Sequence, residues 1–267
     1  MRTLTLADGR QIAWRQAGSG PPLVLLHGWS MSSVVFAEVL EELSSIFCLL
    51  APDLRGHGAS APGAGYAVAD FAADLDEWLQ RLGLPEINLL GWSLGGQVAL
   101  HWTPLLGERL RRLILVGTTP RFTVAADWEA GLPATQVRAM ARDLKRDYLK
   151  TMGDFFALQF AGETLPRERY RQIVKFAVRA GRLPEPEVAL AALETLRCED
   201  QRHALGNVRV PVLLQHGALD RITLPAAADY LAAQLPDARL ELLPGVGHAP
   251  YLSRPQEVCR RWQEFLS

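Results

Sequence analysis

Six short apolar runs recur along the chain, and each is followed by a glycine, a proline or a polar residue. The runs span residues 23–26, 47–51, 87–90, 113–116, 212–215 and 240–243. Strands buried on both faces have nearly continuous apolar sequences, whereas strands with one solvated face alternate between apolar and polar residues. Between the runs, apolar side chains recur at helical spacing, for example at Phe71, Leu75 and Leu82. This alternation predicts an α/β fold with a mostly parallel, doubly wound sheet.

The alternation stops between about residues 122 and 207, where no strand-like run occurs. Helical patterns in this stretch are interrupted by four prolines, at positions 133, 166, 184 and 186. A chain of 267 residues has room for one large domain with an insertion. We therefore predict a core formed by residues 1–121 and 208–267, with residues 122–207 inserted before the last two strands as a helical cap.

The composition excludes several other classes of protein. Basic and acidic residues number 28 and 29, and this balance excludes a protein that binds nucleic acid over its whole surface. The three cysteines, at positions 48, 198 and 259, cannot form a CxxC pair and favour a reducing compartment. No apolar run approaches the roughly 20 residues that span a bilayer, and Asp8 and Arg10 interrupt any signal peptide. We expect a cytoplasmic monomer with neither a membrane nor a nucleic-acid partner.

A G-x-S-x-G motif at residues 91–95 lies between the third apolar run and a helical pattern. A serine on a sharp turn between a strand and a helix needs small neighbours, because there is no space for adjacent Cβ atoms. The turn places the Ser93 hydroxyl at the N-terminus of the following helix, where negative charge is stabilised. We therefore predict that Ser93 is a nucleophile, against the alternative of an ordinary glycine-rich loop.

A serine hydroxyl needs a base to become nucleophilic, and the chain has six histidines. His248 follows the last apolar run in a glycine-rich loop, whereas His216 is interpreted as a strand-end residue. Asp220 follows the run at 212–215, so the order along the chain is Ser, Asp, His. We predict that His248 is the base and that Asp220 orients its ring. The alternatives are a surface-loop histidine and an aspartate that only caps a turn.

Ester hydrolysis also needs hydrogen-bond donors for the tetrahedral oxyanion. We predict the backbone N–H groups of Leu94 and Trp29 for this role, with the Trp29 ring as a wall of the pocket. His27 is expected to brace the loop that carries Trp29.

Residues 53–60 include Asp, Arg, His and Ser, but their glycines and charges indicate a structural turn. The chain has no HExxH, Walker or G-x-G-x-x-G motif, so we expect neither a metal nor a nucleotide cofactor.

Together these motifs resemble those of the α/β-hydrolase family over nearly the whole chain. More narrowly, residues 27–29, 90–96, 155–159 and 248–255 resemble segments of the pimeloyl-[acyl-carrier protein] methyl ester esterases of biotin synthesis. The resemblance implies an α/β-hydrolase fold and a serine carboxylesterase with a catalytic triad of Ser93, Asp220 and His248. It also implies an acyl-carrier protein as partner, because the carrier would hold the ester substrate.

The resemblance implies a set of substrate-binding residues as well. They are Trp29, Trp92, Ser93, Leu94, Phe155, Phe156, Ala157, Leu158, Gln159 and His248. We expect the two tryptophans and two phenylalanines of this set to bound one apolar slot for the acyl chain. Without the resemblance, residues 155–158 would be interpreted as the core stripe of a helix. The relatives carry an arginine in the cap where this chain has Asp154, which is a departure from the family pattern.

The predicted cap is basic in an otherwise acidic chain. From Arg138 to Arg182 there are eleven basic and five acidic residues, a charge of +6, so the remainder of the chain carries −7. Such asymmetry favours the steering of an acidic partner, and acyl-carrier proteins are strongly acidic. We predict that docking uses Lys150, Arg167 and Arg171, which flank residues 155–159. The alternative is a set of solvated helix faces with internal ion pairs.

Other functions are compatible with parts of this pattern. A broad short-chain carboxylesterase or a carbon–carbon bond hydrolase would use the same triad. A receptor or scaffold with this fold is disfavoured by the intact set of Ser93, Asp220 and His248. Dehalogenases and epoxide hydrolases are also disfavoured, because those relatives carry aspartate at the position of Ser93.

Overall fold

Eight strands in the described part of the chain form one sheet. A computed structural model describes residues 1–179 and 182–267, except for the Arg179 side chain. The strands are β1 (Arg2–Thr5), β2 (Gln11–Ala17), β3 (Pro22–Leu26), β4 (Cys48–Pro52), β5 (Ile87–Trp92), β6 (Leu110–Val116), β7 (Val212–Gly217) and β8 (Ala238–Leu243). Their order across the sheet is β1-β2-β4-β3-β5-β6-β7-β8, and every neighbouring pair from β4 to β8 is parallel. The predicted α/β fold with a mostly parallel sheet is confirmed.

Helices connect most of these strands. The α-helices of the described residues are α1 (Ala37–Leu43), α2 (Val68–Leu82), α3 (Leu94–Leu106), α4 (Ala134–Arg146), α5 (Tyr148–Leu158), α6 (Arg167–Ile173), α7 (Pro186–Cys198), α8 (Pro225–Gln234), α9 (Pro250–Ser253) and α10 (Pro255–Leu266). Shorter 3₁₀ segments occur at Ser33–Phe36, Gly107–Arg109 and Arg202–Asn207, and a π-helical segment at Val174–Arg179. Within the described ranges, none of the helices is both long enough and apolar enough to cross a membrane.

Side chains of the central strands alternate between two hydrophobic clusters, one on each face of the sheet. In β3, Val24 belongs to the cluster that includes Trp78 of α2. Its neighbour Leu23 belongs to the cluster that includes Trp262 of α10. Burial of both faces explains why the strands have continuous apolar sequences. The edge strand β8 is an exception to this pattern, since Leu242 is 48% exposed.

In the described ranges, four α-helices, α4 to α7, lie between β6 and β7, where the sequence predicts a helical insertion. No segment of this stretch, as far as it is described, belongs to the sheet. An isolated bridge pairs Arg121 with Asp200 near the two ends of the stretch, and their side chains form an ion pair. The domain boundaries at residues 122 and 207 stay a prediction. Residues 180 and 181 of the predicted cap lie outside the described residues.

The segment at residues 53–60 anchors neighbouring loops at the carboxyl edge of the sheet. The Asp53 carboxylate accepts hydrogen bonds from the backbone N–H groups of Ser33 at 2.6 Å and Ala59 at 2.9 Å. The Ser60 hydroxyl donates to the Asp53 carbonyl at 2.6 Å. These polar groups all bond to nearby backbone, which agrees with the interpretation of this segment as a structural turn.

A buried carboxylate joins this segment to the start of the chain. Asp74 of α2 accepts hydrogen bonds from Arg10 at 2.6 and 2.7 Å and from Arg55 at 2.6 and 2.8 Å. Burial by itself raises the pKa of Asp74, but the hydrogen bonds from the two guanidinium groups lower that pKa by more. The pKa of Asp74 therefore lies below its ordinary 3.8, and the carboxylate stays ionised near neutral pH.

Replacing Asp74 by asparagine should lower the free energy of unfolding by about 2–3 kcal/mol, because two guanidinium groups lose their charged partner. Since the pKa of Asp74 is lowered by folding, its contribution is present above the unfolded-state value near 3.8. That contribution is lost as the pH falls through the folded-state pKa. Urea unfolding of both proteins at pH 7 and at acid pH measures the two effects.

The matched control is Glu86→Gln, which removes an exposed ion pair with Arg111. This change should lower the free energy of unfolding by less than about 1 kcal/mol, because water screens the pair. Equal losses in the Asp74 and Glu86 variants would contradict the structural role of Asp74.

Candidate active site

Ser93 lies at a sharp turn between β5 and α3, at the carboxyl edge of the sheet. Its φ of +56° is in the left-handed region, which residues other than glycine rarely adopt. Two contacts from the end of β6 hold this turn. The Ser93 N–H donates to the Val116 carbonyl at 3.0 Å, and Thr118 Oγ1 donates to the Ser93 carbonyl at 2.7 Å. Backbone strain held by its surroundings in this way is common at functional sites.

Three glycines make the turn possible, because other parts of the chain approach them closely. A Cβ on Gly91 would lie 2.4 Å from the Gly95 carbonyl oxygen, and one on Gly95 would lie 2.3 Å from the Leu26 carbonyl oxygen. A Cβ on Gly96 would lie 2.6 Å from the Thr118 side chain. The φ angles of these glycines are not positive, so the requirement is for space and not for an unusual backbone conformation.

His248 and Asp220 reach this edge from the loops after β8 and β7. His248 Nδ1 lies 2.7 Å from Asp220 Oδ2, and both residues are buried. The His248 backbone is held on both sides, since its N–H donates to the Gln159 carbonyl at 2.8 Å and its carbonyl accepts from Trp92 Nε1 at 2.9 Å. A carboxylate oxygen only accepts, so Nδ1 carries the proton and Nε2 is the nitrogen left to accept another.

Asp220 keeps its negative charge although it is buried. Its Oδ1 accepts hydrogen bonds from the backbone N–H groups of Ile222 at 2.8 Å and Thr223 at 3.0 Å. Burial raises the pKa of Asp220, but the charge of His248 and hydrogen bonds from His216 and His248 lower this pKa by more. The pKa of Asp220 therefore lies well below its usual range. The contact with His216 was missed by the sequence reasoning, although its spacing of four residues from Asp220 was visible.

Residues 117 and 118 lie between Ser93 and the histidine–aspartate pair. A Cβ on Gly117 would lie 3.3 Å from His248 Nδ1, and Thr118 bonds directly to Ser93. The described residues show no hydrogen bond from the Ser93 hydroxyl to the imidazole, whose Nδ1 has polar contacts with Asp220 and Thr223. A contact of this kind often tightens only when substrate is bound. The three predicted triad residues thus meet at one edge of the sheet, and their catalytic roles stay a prediction.

Two backbone N–H groups near Ser93 have no acceptor within the described part of the chain. They belong to Leu94, the first residue of α3, and to Trp29 in the loop after β3. A Cβ on Gly28 would lie 3.2 Å from Ser93 Cβ, so this loop passes directly against the serine. The first amides of a helix have no intrahelical acceptor and carry partial positive charge. Both groups are therefore available to bind an oxyanion.

His27 fixes the loop that carries Trp29. Its Nε2 accepts from the Leu54 N–H at 3.0 Å, so the proton is on Nδ1, which donates to the Gly28 carbonyl at 2.9 Å. Burial lowers the pKa of His27, and burial also lowers the pKa of the neighbouring His57 to about 3. Both rings are neutral near pH 7, and these contacts agree with the expected bracing role of His27.

The four rings expected to bound one slot are divided between the two hydrophobic clusters. Trp29 and Phe155 meet edge to face with ring centroids 4.8 Å apart. Trp92 and Phe156 belong to the cluster on the other face of the sheet. Trp92 is 1% exposed, and its ring packs against the His248 ring with centroids 5.5 Å apart. Because neighbouring residues on a helix point about 100° apart, Phe155 and Phe156 face different clusters, and the single slot stays a prediction.

A small apolar cavity of about 160 Å³ lies between α5 and the loop that follows Trp29. Met31, Met152 and Phe156 line it. Ser30 also lines the cavity, and its buried hydroxyl has no hydrogen-bond partner within the described ranges. A cavity of roughly 150 Å³ admits a molecule the size of benzene, so this one has space for several methylene groups.

The other predicted substrate residues of α5 differ in exposure. Ala157 is exposed, Leu158 is half-buried, and Gln159 just after the helix is fully buried. Neither polar atom of the Gln159 side chain has a partner among the described residues, which is unusual for a buried amide. No group of three or more His, Cys, Asp or Glu side chains that could hold a metal ion occurs in the described part of the chain.

The three predicted docking residues all lie on the outside of the inserted helices. Lys150, Arg167 and Arg171 are exposed. Lys150 Nζ lies 2.5 Å from the Asp154 carboxylate, and Arg171 lies 3.9 Å from the Glu168 carboxylate. Exposed pairs of this kind are weak, so each cation remains available to a partner.

Comparison with known proteins agrees with this geometry. Residues 21–255 match a family model described as the alpha/beta hydrolase fold. The chain is 41% identical over 244 residues to a pimeloyl-[acyl-carrier protein] methyl ester esterase of Nitrosomonas europaea, with 90% of this chain and 93% of that protein covered. It is 37% identical over 249 residues to a protein of the same name from Chromobacterium violaceum, with 93% and 95% covered.

A solved structure of an esterase from Exiguobacterium antarcticum superposes on this chain with a TM-score of 0.90. The superposition covers 98% of both chains, and the two sequences are 27% identical. The chain belongs to the α/β-hydrolase family.

Proposed function

We propose that this chain is a serine carboxylesterase that hydrolyses the methyl ester of a pimeloyl-[acyl-carrier protein] to the free acid and methanol in biotin biosynthesis. Relatives that are 37% and 41% identical over at least nine tenths of the chain carry the corresponding name. The observation that carries the chemistry is the buried pair of Asp220 and His248, 2.7 Å apart, at the sheet edge where Ser93 lies on a strained turn.

In the proposed mechanism, Ser93 Oγ attacks the ester carbonyl carbon while His248 Nε2 takes the hydroxyl proton. The carbonyl π electrons move onto the oxygen, which accepts hydrogen bonds from the N–H groups of Trp29 and Leu94. When this intermediate collapses, the bond to the methoxy oxygen breaks and His248 returns the proton to release methanol. Water then attacks the acyl-enzyme by the same route and releases the carboxylate product from Ser93.

Asp220 supports both proton transfers through its charge. A buried carboxylate that remains ionised stabilises the imidazolium that forms on His248, because the low dielectric of the site strengthens their attraction. Since the pKa of Asp220 lies far below neutral, Asp220 does not take up the proton itself. The proton therefore moves between Ser93, His248 and the leaving group only.

Ser93→Ala should lower kcat for ester hydrolysis by about 10⁴-fold or more, because the triad acts as a unit. His248→Ala should lose nearly as much, and Asp220→Asn somewhat less. Turnover of p-nitrophenyl acetate measures these losses, and circular dichroism checks that each variant is folded. Ser45→Ala, at an exposed position, should keep wild-type turnover. Near-normal turnover by folded Ser93→Ala would exclude this serine as the nucleophile.

We propose that residues 155–159 bind the acyl chain from the cap side. Phe155 packs on Trp29, whose N–H is one of the proposed oxyanion donors. Phe156 lines the apolar cavity beside the same loop. This arrangement surrounds methylene groups with apolar side chains, so chain length should affect binding.

Each methylene removed from the acyl chain of a methyl ester should lower kcat/KM about fourfold, because burial of a CH₂ group contributes about 0.8 kcal/mol. Phe156→Ala should flatten this dependence, whereas Phe265→Ala, on α10, should not. Assays over a series of methyl esters measure both slopes. A flat profile in the wild type would argue for a broad carboxylesterase, and cleavage of diketones would argue for a carbon–carbon bond hydrolase.

We also propose that the basic outer face of the cap binds the acidic carrier protein. Lys150, Arg167 and Arg171 are exposed and lie on α5 and α6, on both sides of the proposed acyl-binding residues. The excess positive charge of this segment would attract an acidic partner and orient it towards the site. The side chain of Arg179, which contributes to that charge in the sequence, lies outside the described residues.

Reversing Lys150, Arg167 and Arg171 to glutamate should slow hydrolysis of the carrier-bound ester at least about tenfold at low salt, because steering is lost. Hydrolysis of a small free ester should hardly change.

The control reverses three exposed arginines of the core, Arg111, Arg239 and Arg260, which gives the same change in net charge. The wild-type preference should fall as salt rises, since the Debye length shrinks to about 8 Å near 0.15 M. Equal losses on both substrates would mean that the cap charges serve folding.

We propose that the protein acts as a cytoplasmic monomer. Cys48, Cys198 and Cys259 are all unpaired, as is usual in a reducing compartment. Among the described residues, the exposed large apolar side chains lie on separate elements, for example Leu105 on α3, Leu149 on α5 and Leu242 on β8. Scattered residues of this kind do not form the extended apolar patch of an obligate interface.

A further inference from the structure

The carboxylate of Asp220 has more hydrogen-bond neighbours than it needs to orient His248. Besides His248 Nδ1 at 2.7 Å, its Oδ2 lies 2.9 Å from the Thr223 hydroxyl and 3.3 Å from His216 Nε2. These four residues are at most 3% exposed, so water hardly competes for the contacts. The mechanism described above uses neither Thr223 nor His216.

The surroundings of His216 determine which of its nitrogens carries a proton. Nε2 lies 2.7 Å from the Thr223 carbonyl oxygen, which can only accept a hydrogen bond. His216 Nε2 is therefore protonated and holds the turn between residues 220 and 223. Because this turn carries the Thr223 side chain, His216 fixes the position of Thr223 Oγ1 beside Asp220 Oδ2.

The Thr223 hydroxyl has one proton and two acceptors at the same distance. Its Oγ1 lies 2.9 Å from Asp220 Oδ2 and 2.9 Å from the Gly117 carbonyl oxygen. It also lies 3.3 Å from His248 Nδ1, whose proton already points to Asp220. Rotation about the Cβ–Oγ1 bond moves the hydroxyl proton from one acceptor to the other without moving a heavy atom.

We propose that Thr223 and His216 are positioning residues that tune His248 through Asp220, an inference that rests on the proposed serine-esterase mechanism. In the resting enzyme the Thr223 hydroxyl donates a hydrogen bond to Asp220 Oδ2. This bond weakens the electrostatic attraction between the carboxylate and a protonated imidazole. When His248 takes the nucleophile's proton, the hydroxyl turns to the Gly117 carbonyl, and Oδ2 interacts fully with the imidazolium.

The direction of the pH effect follows from the groups that surround His248. Titratable groups near it are Asp220 and His216 from the β7 end, Glu163, which accepts from the Gly247 N–H, and Tyr251, which packs on Trp92. Of these, Asp220 alone is within hydrogen-bond distance of the His248 ring in the described residues. Removing a hydrogen bond from the Asp220 carboxylate favours the charged imidazolium. Only neutral His248 acts as a base, so kcat/KM falls at low pH, where this imidazole is protonated. This acid limb of the pH profile of kcat/KM then moves to higher pH.

The first test compares Thr223→Val, which keeps the side-chain shape without the hydroxyl, with Thr223→Ser, which keeps the hydroxyl. On p-nitrophenyl acetate, Thr223→Val should move the acid limb of kcat/KM up by about half to one pH unit. Its plateau above the limb should stay within about threefold of the wild type, because the carboxylate still stabilises the imidazolium. Thr223→Ser should follow the wild type. Structural damage alone would lower the plateau without moving the limb.

A second pair of variants tests His216. His216→Gln keeps an N–H donor near the position of Nε2, and it should behave as the wild type. His216→Leu removes the donor and should move the acid limb in the same direction as Thr223→Val. The double variant of Thr223→Val with His216→Leu should move the limb no further, because both changes act on the same hydroxyl. Additive shifts, or a shift in His216→Gln, would mean that His216 acts through its own charge and would overturn its positioning role.

An acid limb that stays within about 0.2 pH unit of the wild type in folded Thr223→Val overturns the inference. An equal shift in Thr223→Val and Thr223→Ser also overturns it, because the hydroxyl would then be irrelevant. Thermal unfolding reports whether each variant is folded, and if Thr223→Val is not, the His216 pair gives the same measurement. A wild-type protein that hydrolyses no ester would instead refute the proposed function, which is a different outcome from an active enzyme with an unmoved limb.

Discussion

Burial of the sheet on both faces is the constraint that decides where this protein can carry out chemistry. Side chains within the central strands pack into one of two apolar clusters, so a charged group there would be buried without water. Polar residues collect where the parallel strands end, which places Ser93, Asp220 and His248 in loops after β5, β7 and β8. Because parallel strands end at the same edge of a sheet, residues far apart in sequence meet there.

Two carboxylates illustrate how the same fold stabilises a buried charge for different purposes. Asp74 is surrounded by the guanidinium groups of Arg10 and Arg55, so its charge is neutralised locally and holds elements together. Asp220 is surrounded by backbone N–H groups, a hydroxyl and imidazole rings instead. No permanent cation cancels its charge, which leaves that charge available to stabilise an imidazolium that forms on His248.

Helix α5 links the outer surface of the inserted helices to the core. Its first turn carries Lys150 on the exposed side, and the residue that follows its last turn, Gln159, accepts the backbone N–H of His248. Between them, Phe155 packs on Trp29 and Phe156 lines the small cavity. A partner bound at the surface and a substrate bound at the triad would therefore contact the same helix.

The sequence by itself determined the six strands from β3 to β8, helices between them and the residues at the strand ends, because these follow from local apolar patterns and from glycines that a turn requires. It placed Ser93, Asp220 and His248 in the loops where the structure has them. Only the tertiary structure decided that Phe155 and Phe156 face different clusters and that Thr223 and His216 share the carboxylate of Asp220. Such contacts depend on distances between segments that are remote in the chain, as for Trp92 and His248, which bond across 156 positions. Periodicity and spacing describe neighbours in sequence, whereas hydrogen bonding, burial and ionisation depend on neighbours in space.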